Sequence, residues 1–567
     1  VAAAMFAAVC GLAAWHGSAA DAHPQAPWYS VIPPALAIVT AFLTHHVIAS
    51  LGLAIVVGAL LSSVPAAPAD TGAWLAGVNA VATYIRNTVS DGTNLLILSF
   101  IPPIFTMVET IMASGGFRGI VAWLLKRVRS AKSAQLATAF LGLLCFVDDY
   151  ANAIIIGSMM QPITDRFRIS RAKLAFLVDG TSAPVSGLAV VSTWIAYEVA
   201  LFAGVSRQLG MGKTGYAMFF DALSFRFYCL LMLAFMFAHI LAGRDFGPMR
   251  KAEERARNAD DTPQDREPSR GKGVPPSDRG PDARDTRLPG KARNALLPLG
   301  GLVGFHLTGL WIDGGGPAKL AGAGSLLAPT YWREVISDAE HSHLMLMSAA
   351  LFGTALAVLC GRLSSSLPLS VVPGCIRRGI KRALLPSVVL ILAWSLKSCC
   401  DDLGTGRFLT GLLADRIPPH WFPPLVFVVA SIVSFATGTS WGTMAILIPT
   451  AIPIAFALDG DTYGLTTMIS LGAVLDGAIF GDHCSPISDT TILSSTATSC
   501  DLVQHVRTQL PYSLFVAAIA LACAYVPSAL GLASFWSLGL GLLAVIAVLL
   551  ALARRGQTQP QPAPEIA

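Results

Sequence analysis

Charge is what this sequence has little of. Lys, Arg, Asp and Glu make up 13% of its 567 residues, against about 25% in a soluble globular chain. Hydrophobic residues make up 54%, and the mean hydropathy is +0.61. A soluble fold is excluded, and with it the usual arithmetic of residues per domain. A strong imbalance of sign is also missing. The formal net charge is +5, so no nucleic-acid partner is expected, and the information lies in where Lys and Arg stand relative to the spans. The ten cysteines lack zinc-type spacing. Cys145, Cys229, Cys360, Cys523 and the vicinal pair Cys399-Cys400 read as small buried residues. No HExxH occurs, so an intramembrane metalloenzyme would have to use His341-Ser342-His343 or Asp482-His483-Cys484, neither with a supporting motif.

What is there is a series of apolar runs with polar residues in costly places. Residues 1–22 read as a signal peptide. A first transmembrane repeat is expected over 23–243, with spans near 28–46, 47–64 and 93–114 and an interfacial amphipathic stretch after them. Residues 134–163 are long enough for one span, yet Lys and Arg flank both ends. A re-entrant hairpin with Asp148, Asp149 and Asn152 at its tip puts both basic clusters on one side. Residues 173–202 predict a span broken at Asp179–Pro184, and 218–242 an intact span. Residues 244–293 are charged in both signs and rich in Pro, which predicts a disordered cytoplasmic loop.

The second half, 294–531, repeats this order. Residues 424–456 form two apolar arms around Thr437, Gly438, Thr439 and Ser440. Then comes AVLDGAIFGDHCSPISDTT, where Asp476, Asp482, His483, Asp489 and Pro486 interrupt an apolar segment. A carboxylate at the bilayer centre costs about 2.5–3.5 kcal/mol on the insertion scale. A further span (532–553) and a cytoplasmic tail (554–567) close the chain. The positive-inside rule then opens the first hairpin from the cytoplasm and the second from outside. The expected fold is an all-α polytopic membrane protein of two inverted repeats, each of about five spans with a re-entrant hairpin and a discontinuous helix, plus one C-terminal span. That plan is typical of secondary transporters.

A small hard cation seeks oxygen ligands. The expected ion- and proton-binding set is Asp148, Asp149, Asn152, Asp179, Thr181 and Ser182 from the first half. From the second come Thr437, Thr439, Ser440, Asp482, His483, Ser485, Ser488 and Asp489, with the cation in the Asp179–Asp482 region. Carboxylates that lose water and crowd each other hold protons more tightly, titrate as a unit and so can trade a proton for a cation. Plainer readings stand beside these. His483 could simply hydrogen-bond an acid. The Ser and Thr hydroxyls could bond the preceding turn. Trp194 and Trp441 read as packing, Glu109 and Glu198 as interfacial or as touching the pathway, and Asp476 as a site residue or a partner of Lys397.

The chain resembles the NhaC family of sodium/proton antiporters. The resemblance rests on FVDDYANAIIIG (146–157), LVDGTSAPVSGLAVVSTWIAYEV (177–199), GRDFGPM (243–249), GTSWGTMAILIPTAIP (438–453) and GAIFGDHCSPISDTTILSS (477–495). It implies exchange of Na+ for H+ in the bacterial inner membrane, with no cofactor beyond the transported ions and no enzymatic activity. The expected partners are Na+, H+ and the lipid bilayer, with a homodimer as one possible assembly. The family also looks to include exchangers of organic acids. The alternative is therefore an Na+- or H+-coupled organic-acid (malate/lactate-like) or amino-acid exchanger, with Lys397 as the cation that would pair a substrate carboxylate. A channel is a further alternative, though hairpins facing opposite sides fit alternating access better.

Overall fold

The computed structural model describes residues 27–44, 46–64, 70–125, 128–258, 290–323, 329–365, 367–405, 408 and 418–555. The expected signal peptide, most of the charged loop and nearly all of the tail lie outside them. The described residues are helical. In order they form α1 (Ile32–Thr44), α2 (Val47–Leu61), α3 (Thr71–Ser90), α4 (Gly92–Ala113), α5 (Gly116–Leu125), α6 (Ala131–Leu144), α7 (Asp149–Arg166) and α8 (Arg171–Ser186). Then follow α9 (Thr193–Leu209), α10 (Gly215–Leu223), α11 (Phe227–Ala242), α12 (Gly247–Arg257), α13 (Arg293–Asp313), α14 (Gly316–Ala323), α15 (Pro329–Ser337) and α16 (Ser342–Ser365). The last eight are α17 (Val372–Leu403), α18 (Phe422–Thr437), α19 (Ser440–Leu458), α20 (Leu465–Cys484), α21 (Asp489–Ala497), α22 (Leu502–Ile519), α23 (Val526–Ala529) and α24 (Ser534–Arg555).

Nine helical stretches among the described residues are long and apolar enough to cross a membrane, or ten if the bent pair α10–α11 counts as one. This is a multi-pass membrane protein. α20 is enclosed along nearly its whole length, whereas α24 leaves most of its surface uncovered. Leu543, Phe535 and Trp536 of α24 are exposed, as lipid-facing side chains can be. α20 is therefore the central strut and α24 a peripheral one.

A helix pair flanks each expected tip, α6–α7 and α18–α19. Their tips share a local design. Asp148 caps α7 with φ −151° and ψ 122°, its side chain accepting from the Ala151 N–H; Thr439 caps α19 with φ −149° and ψ 121°, accepting from Gly442 N–H. A side-chain oxygen at the N-cap satisfies an orphan helix donor that lipid could not. Small residues let each hairpin reach the helix that follows it. A Cβ on Gly142 of α6 would stand 2.1 Å from Thr181 Oγ1 of α8, and one on Gly481 of α20 would stand 2.4 Å from Phe435 N of α18.

Five expectations need correction. The first break does not fall at Asp179–Pro184: α8 runs through both residues to Ser186, and the chain leaves helix only at 187–192. Pro184 costs a helix a hydrogen bond but does not end this one. The spans expected near 28–46 and 47–64 are helices of 13 and 15 residues. At 1.5 Å per residue these are about 20 Å long and fall short of a hydrocarbon core of about 30 Å. The span expected over 218–242 is bent by 45° between α10 and α11, with Arg226 at the bend.

The remaining two concern the charged loop and Lys397. Residues 247–257, read as part of that loop, form helix α12. It docks through Glu253, which accepts from Ser170 N–H at 2.8 Å. Asp245 just before it meets Lys173, His239 and the Tyr512 hydroxyl. Burial alone would raise the Asp245 carboxyl, but the Lys173 ammonium and His239 hold it well below the usual carboxylate range. Lys397 pairs with Asp401 on its own helix at 3.1 Å, and Asp476 pairs with Arg226 instead of Lys397.

Candidate functional site

Each hairpin tip meets the break of the next helix. Thr193 N–H, just after the first break, donates to Val147 O at the first tip, 2.8 Å away. Gly438, at the second tip with φ +68°, lies against Ile487 in the second break, where a Cβ would stand 2.8 Å away. The helices that leave the tips then cross over. α7 lies along α21, through Tyr150 with Asp489 and Ser499 Oγ with Gln161 Oε1 (3.4 Å). α19 lies along α9, through the Tyr197 hydroxyl, which donates to Trp441 O at 2.6 Å, and an edge-on Trp194–Trp441 contact with centroids 5.8 Å apart. The two tryptophans pack on each other.

This interlock divides the fourteen expected residues into groups. Asp149 and Asp482 are buried carboxylates, and Asp489, which is exposed, lies close enough to act on both. Asp482 accepts from Ser440 Oγ at 3.0 Å and Ser488 Oγ at 2.6 Å. Ser488 Oγ also lies 2.9 Å from Thr490 Oγ1. Asp489 takes the Tyr150 hydroxyl and the Thr490 N–H. Asp149 Oδ2 is buried and has no hydrogen-bond partner. These three acids come from α7, α20 and α21, so both hairpin–break units contribute.

Asp179 has a different set of hydrogen-bond partners. It accepts from Gln509 Nε2 at 2.7 Å and Ser494 Oγ at 3.3 Å, with His505 Nε2 at 3.1 Å. His483 shares Gln509 with it. Its Nδ1 lies 3.0 Å from the Tyr228 hydroxyl, its carbonyl accepts from Gln509, and its Nε2 has no partner.

The remaining expected residues build the frame. Asp148 is the cap of α7 and the ion-pair partner of Arg382 at 2.8 Å. Asn152 Nδ2 ties Gly142 O (2.9 Å) to Thr181 O (3.0 Å), and Ser182 Oγ holds Asp149 O at 2.7 Å. The Thr181 and Thr437 hydroxyls bond their own preceding turns, each at 2.8 Å, the alternative noted for membrane hydroxyls. Thr439 caps α19, and Ser485 Oγ accepts from Ile487 N–H within the break.

Sequence reasoning missed Tyr150, Thr490, Ser494, His505, Gln509, Tyr228, Arg226 and Arg382. Tyr150 lies inside the tip motif itself. His505 and Gln509 are spaced i, i+4 on α22, so they share a face, but they precede the apolar run of that helix. Arg226 was a charge inside a supposed intact span, which is itself a functional signal.

Arg382 is the cation near the acids. It pairs with Asp148 and with Glu109 (3.3 Å), which also takes Arg378 at 2.7 Å, and its guanidinium sits 5.6 Å over the Tyr150 ring. Two guanidinium groups thus match two carboxylates. Asp482 and Asp489, beside the second break, have hydroxyls and a backbone N–H group as hydrogen-bond donors, whereas Asp149 Oδ2 has none. Such a cluster can hold a cation, or protons, in an enclosed place where like charges cannot all stay uncompensated.

Comparison with known proteins bears on this arrangement. The model of the Na+/H+ antiporter family matches residues 187–527. A protein of Haemophilus influenzae described only as uncharacterized is 31% identical over 508 residues, covering 86% of this chain and 88% of its own. The Na+/H+ antiporter NhaC of Alkalihalophilus pseudofirmus is 32% identical over 162 residues, 29% of this chain and 32% of its own. Among solved structures, the YdaH transporter of Alcanivorax borkumensis superposes with a TM-score of 0.51 over 82% of this chain and 91% of that one. At 14% identity this is a likeness of fold.

Proposed function

The chain belongs to the Na+/H+ antiporter family, and on that premise we propose that it exchanges Na+ for H+ across the bacterial inner membrane by alternating access. The observation that carries this reading is the convergence of Asp149, at the first hairpin tip, with Asp482 and Asp489, on either side of the second break, around Tyr150, Ser440, Ser488 and Thr490. Oxygen ligands of this kind suit a small hard cation, and crowded carboxylates compete with it for protons. Occupancy by Na+ and by protons is then mutually exclusive, which is the physical requirement of antiport. Na+ is cargo in this scheme, held by Asp149, Asp482 and Asp489 with the hydroxyls of Ser440, Ser488 and Thr490.

Asp179 plays another part. It is already surrounded by His505, Gln509 and Ser494, so a cation would have to displace protein donors to reach it. We assign it to positioning the α8–α21–α22 contact beside the cluster. The inverted-repeat reading is supported by the matching caps at Asp148 and Thr439 and by the reciprocal crossing of α7 with α21 and α19 with α9.

The organic-acid alternative needs a cation for the substrate carboxylate. Lys397 and Arg382 each already have carboxylate partners, which favours the inorganic ion. The test is the full-length protein in proteoliposomes with a pH-sensitive dye trapped inside. Na+ added to one side should move protons, while malate should not. Proton movement driven by malate and not by Na+ would overturn the reading.

A further inference from the structure

Arg226 has no exposed surface, and it shares its enclosure with two carboxylates that also have none, Glu198 and Asp476. The shares are unequal. Asp476 accepts from Arg226 Nε at 2.9 Å, Tyr228 N–H at 2.6 Å and the Tyr525 hydroxyl at 2.9 Å. Glu198 has one long contact, from Arg226 Nη1 to Oε1 at 3.5 Å, and its buried Oε2 has no partner. One guanidinium against two ionised carboxylates would leave a net negative charge in an apolar interior. Burying an uncompensated charge costs several kcal/mol or more. A proton on Glu198 removes that charge and leaves Asp476, with its full set of donors, as the ionised partner of Arg226.

The position of this triad ties it to the ion site. Glu198 lies on α9, which starts at the first break, against the first hairpin tip. Arg226 sits at the α10–α11 bend. Asp476 lies on α20, six residues before Asp482, or about 9 Å along the helix axis. Tyr228 runs from its N–H on Asp476 to its hydroxyl on His483. The π-helical segment Ala520–Tyr525 brings the Tyr525 hydroxyl to Asp476, and π segments recur at functional sites. The titratable and charged groups facing Glu198 are Arg226 and Asp476. Cys229 and Tyr525 face the same triad from behind. From α17 and α19, α9 meets the indoles of Trp394 and Trp441.

We propose that Glu198 is a second proton-binding site of the exchange cycle, separate from Asp149, Asp482 and Asp489. It holds a proton while Arg226 is engaged with Asp476. When α9 shifts against α20, the carboxyl O–H bond breaks, its electron pair stays on the glutamate oxygen, and the proton passes to water on the open side. The new carboxylate shares Arg226 with Asp476, and the water that reaches it on the open side solvates the added negative charge. This rests on the antiport reading and adds one proton to each turnover.

The test counts protons. Full-length protein is placed in proteoliposomes at clamped voltage, and the pH gradient that stops net proton flux is found for a fixed Na+ gradient. Glu198→Gln should still exchange, with one fewer proton per Na+ than the unaltered protein. An unchanged count overturns the proposal and leaves the antiport reading standing. Failure of the unaltered protein to move protons with Na+ overturns both.

A second measurement does not need an active variant. In infrared difference spectra of protein labelled at its glutamate carboxyl carbons, Na+ should abolish a protonated-glutamate C=O band. Glu198→Asp should remove that band from the labelled set. Absence of any Na+-sensitive glutamic-acid band overturns the proposal.

Discussion

Asp482 and Asp179 look alike in the sequence, each an acid in a helix that is interrupted soon afterwards, and the folded chain gives them different partners. Asp482 faces Asp149 and Asp489 and takes the hydroxyls of Ser440 and Ser488. Asp179 faces two imidazoles, an amide and a hydroxyl. An acid among acids has charge to offer a cation. An acid already supplied with protein donors has little. What decides the function of a buried carboxylate is therefore the balance of charge and donors around it, more than its position in a broken helix.

The largest effect that could break this comparison is at the acidic cluster. Asp482→Asn removes one of the converging charges while keeping the size of the side chain. Loss of a charged ligand should exceed the 10- to 100-fold typical of losing a ligand's supporting partner, so Na+-driven proton flux in proteoliposomes should fall by about 100-fold or more. Asp149→Asn should behave likewise. Full exchange by either variant would remove that residue from the core of the site.

A smaller effect sharpens the same side. Ser440→Ala and Ser488→Ala each delete one hydroxyl on Asp482. A hydrogen bond to a charged group contributes about 1.5–3 kcal/mol. The Na+ concentration for half-maximal exchange should therefore rise about tenfold in each variant, with less change in the maximal rate. If only stability falls and half-saturation is untouched, the hydroxyls hold the break together and take no part in the ion site.

The other side of the comparison is tested at Asp179. Asp179→Asn leaves Gln509 and His505 facing an amide instead of a carboxylate. The contact between α8, α21 and α22 should loosen, and the maximal rate should fall about tenfold, in keeping with the loss of about one hydrogen bond to a charged group. Half-saturation by Na+ should change by no more than about threefold. A collapse of Na+ affinity with the rate preserved would return Asp179 to the ion site and erase the contrast with Asp482.

The limits of the sequence are visible in the same residues. Low charge, the apolar runs and the costly acids were enough to expect a polytopic helical protein with two hairpins. The polar tips and Pro486 located both tips and the second break. The first break was misplaced because Pro184 reads as a helix breaker, whereas the chain tolerates it and opens at 187–192, where no comparable signal stands. The half-length helices α1 and α2 were read as spans because hydropathy reports composition and not where a helix stops. At the site, Asp149, Asp482 and Asp489 were legible because acids in lipid are expensive. His505, Gln509 and Arg226 were not, because their partners lie between 250 and 330 residues away in the chain. A pairing over such a distance leaves no local pattern.

Lys397 gives the smallest effect and the last check on what kind of substrate the acids serve. On sequence grounds it was the cation best placed to meet an organic carboxylate. In the fold it makes an i, i+4 pair with Asp401 at 3.1 Å, with side-chain exposures of 15% and 32%. Such pairs on one helix are worth about 0.2–0.5 kcal/mol, and partial exposure to solvent screens them further. Lys397→Ala should therefore shift thermal stability by at most a degree or two, on the order expected for a few tenths of a kcal/mol in a large chain. It should leave Na+-driven proton flux at the level of the unaltered protein. The informative arm is malate. If malate drives proton movement in the unaltered protein and Lys397→Ala abolishes it, then Lys397 exchanges Asp401 for a substrate carboxylate during the cycle. The acidic cluster would then be the coupling-ion half of an organic-acid exchanger. If malate is silent in both, the acids of the cluster serve inorganic ions alone.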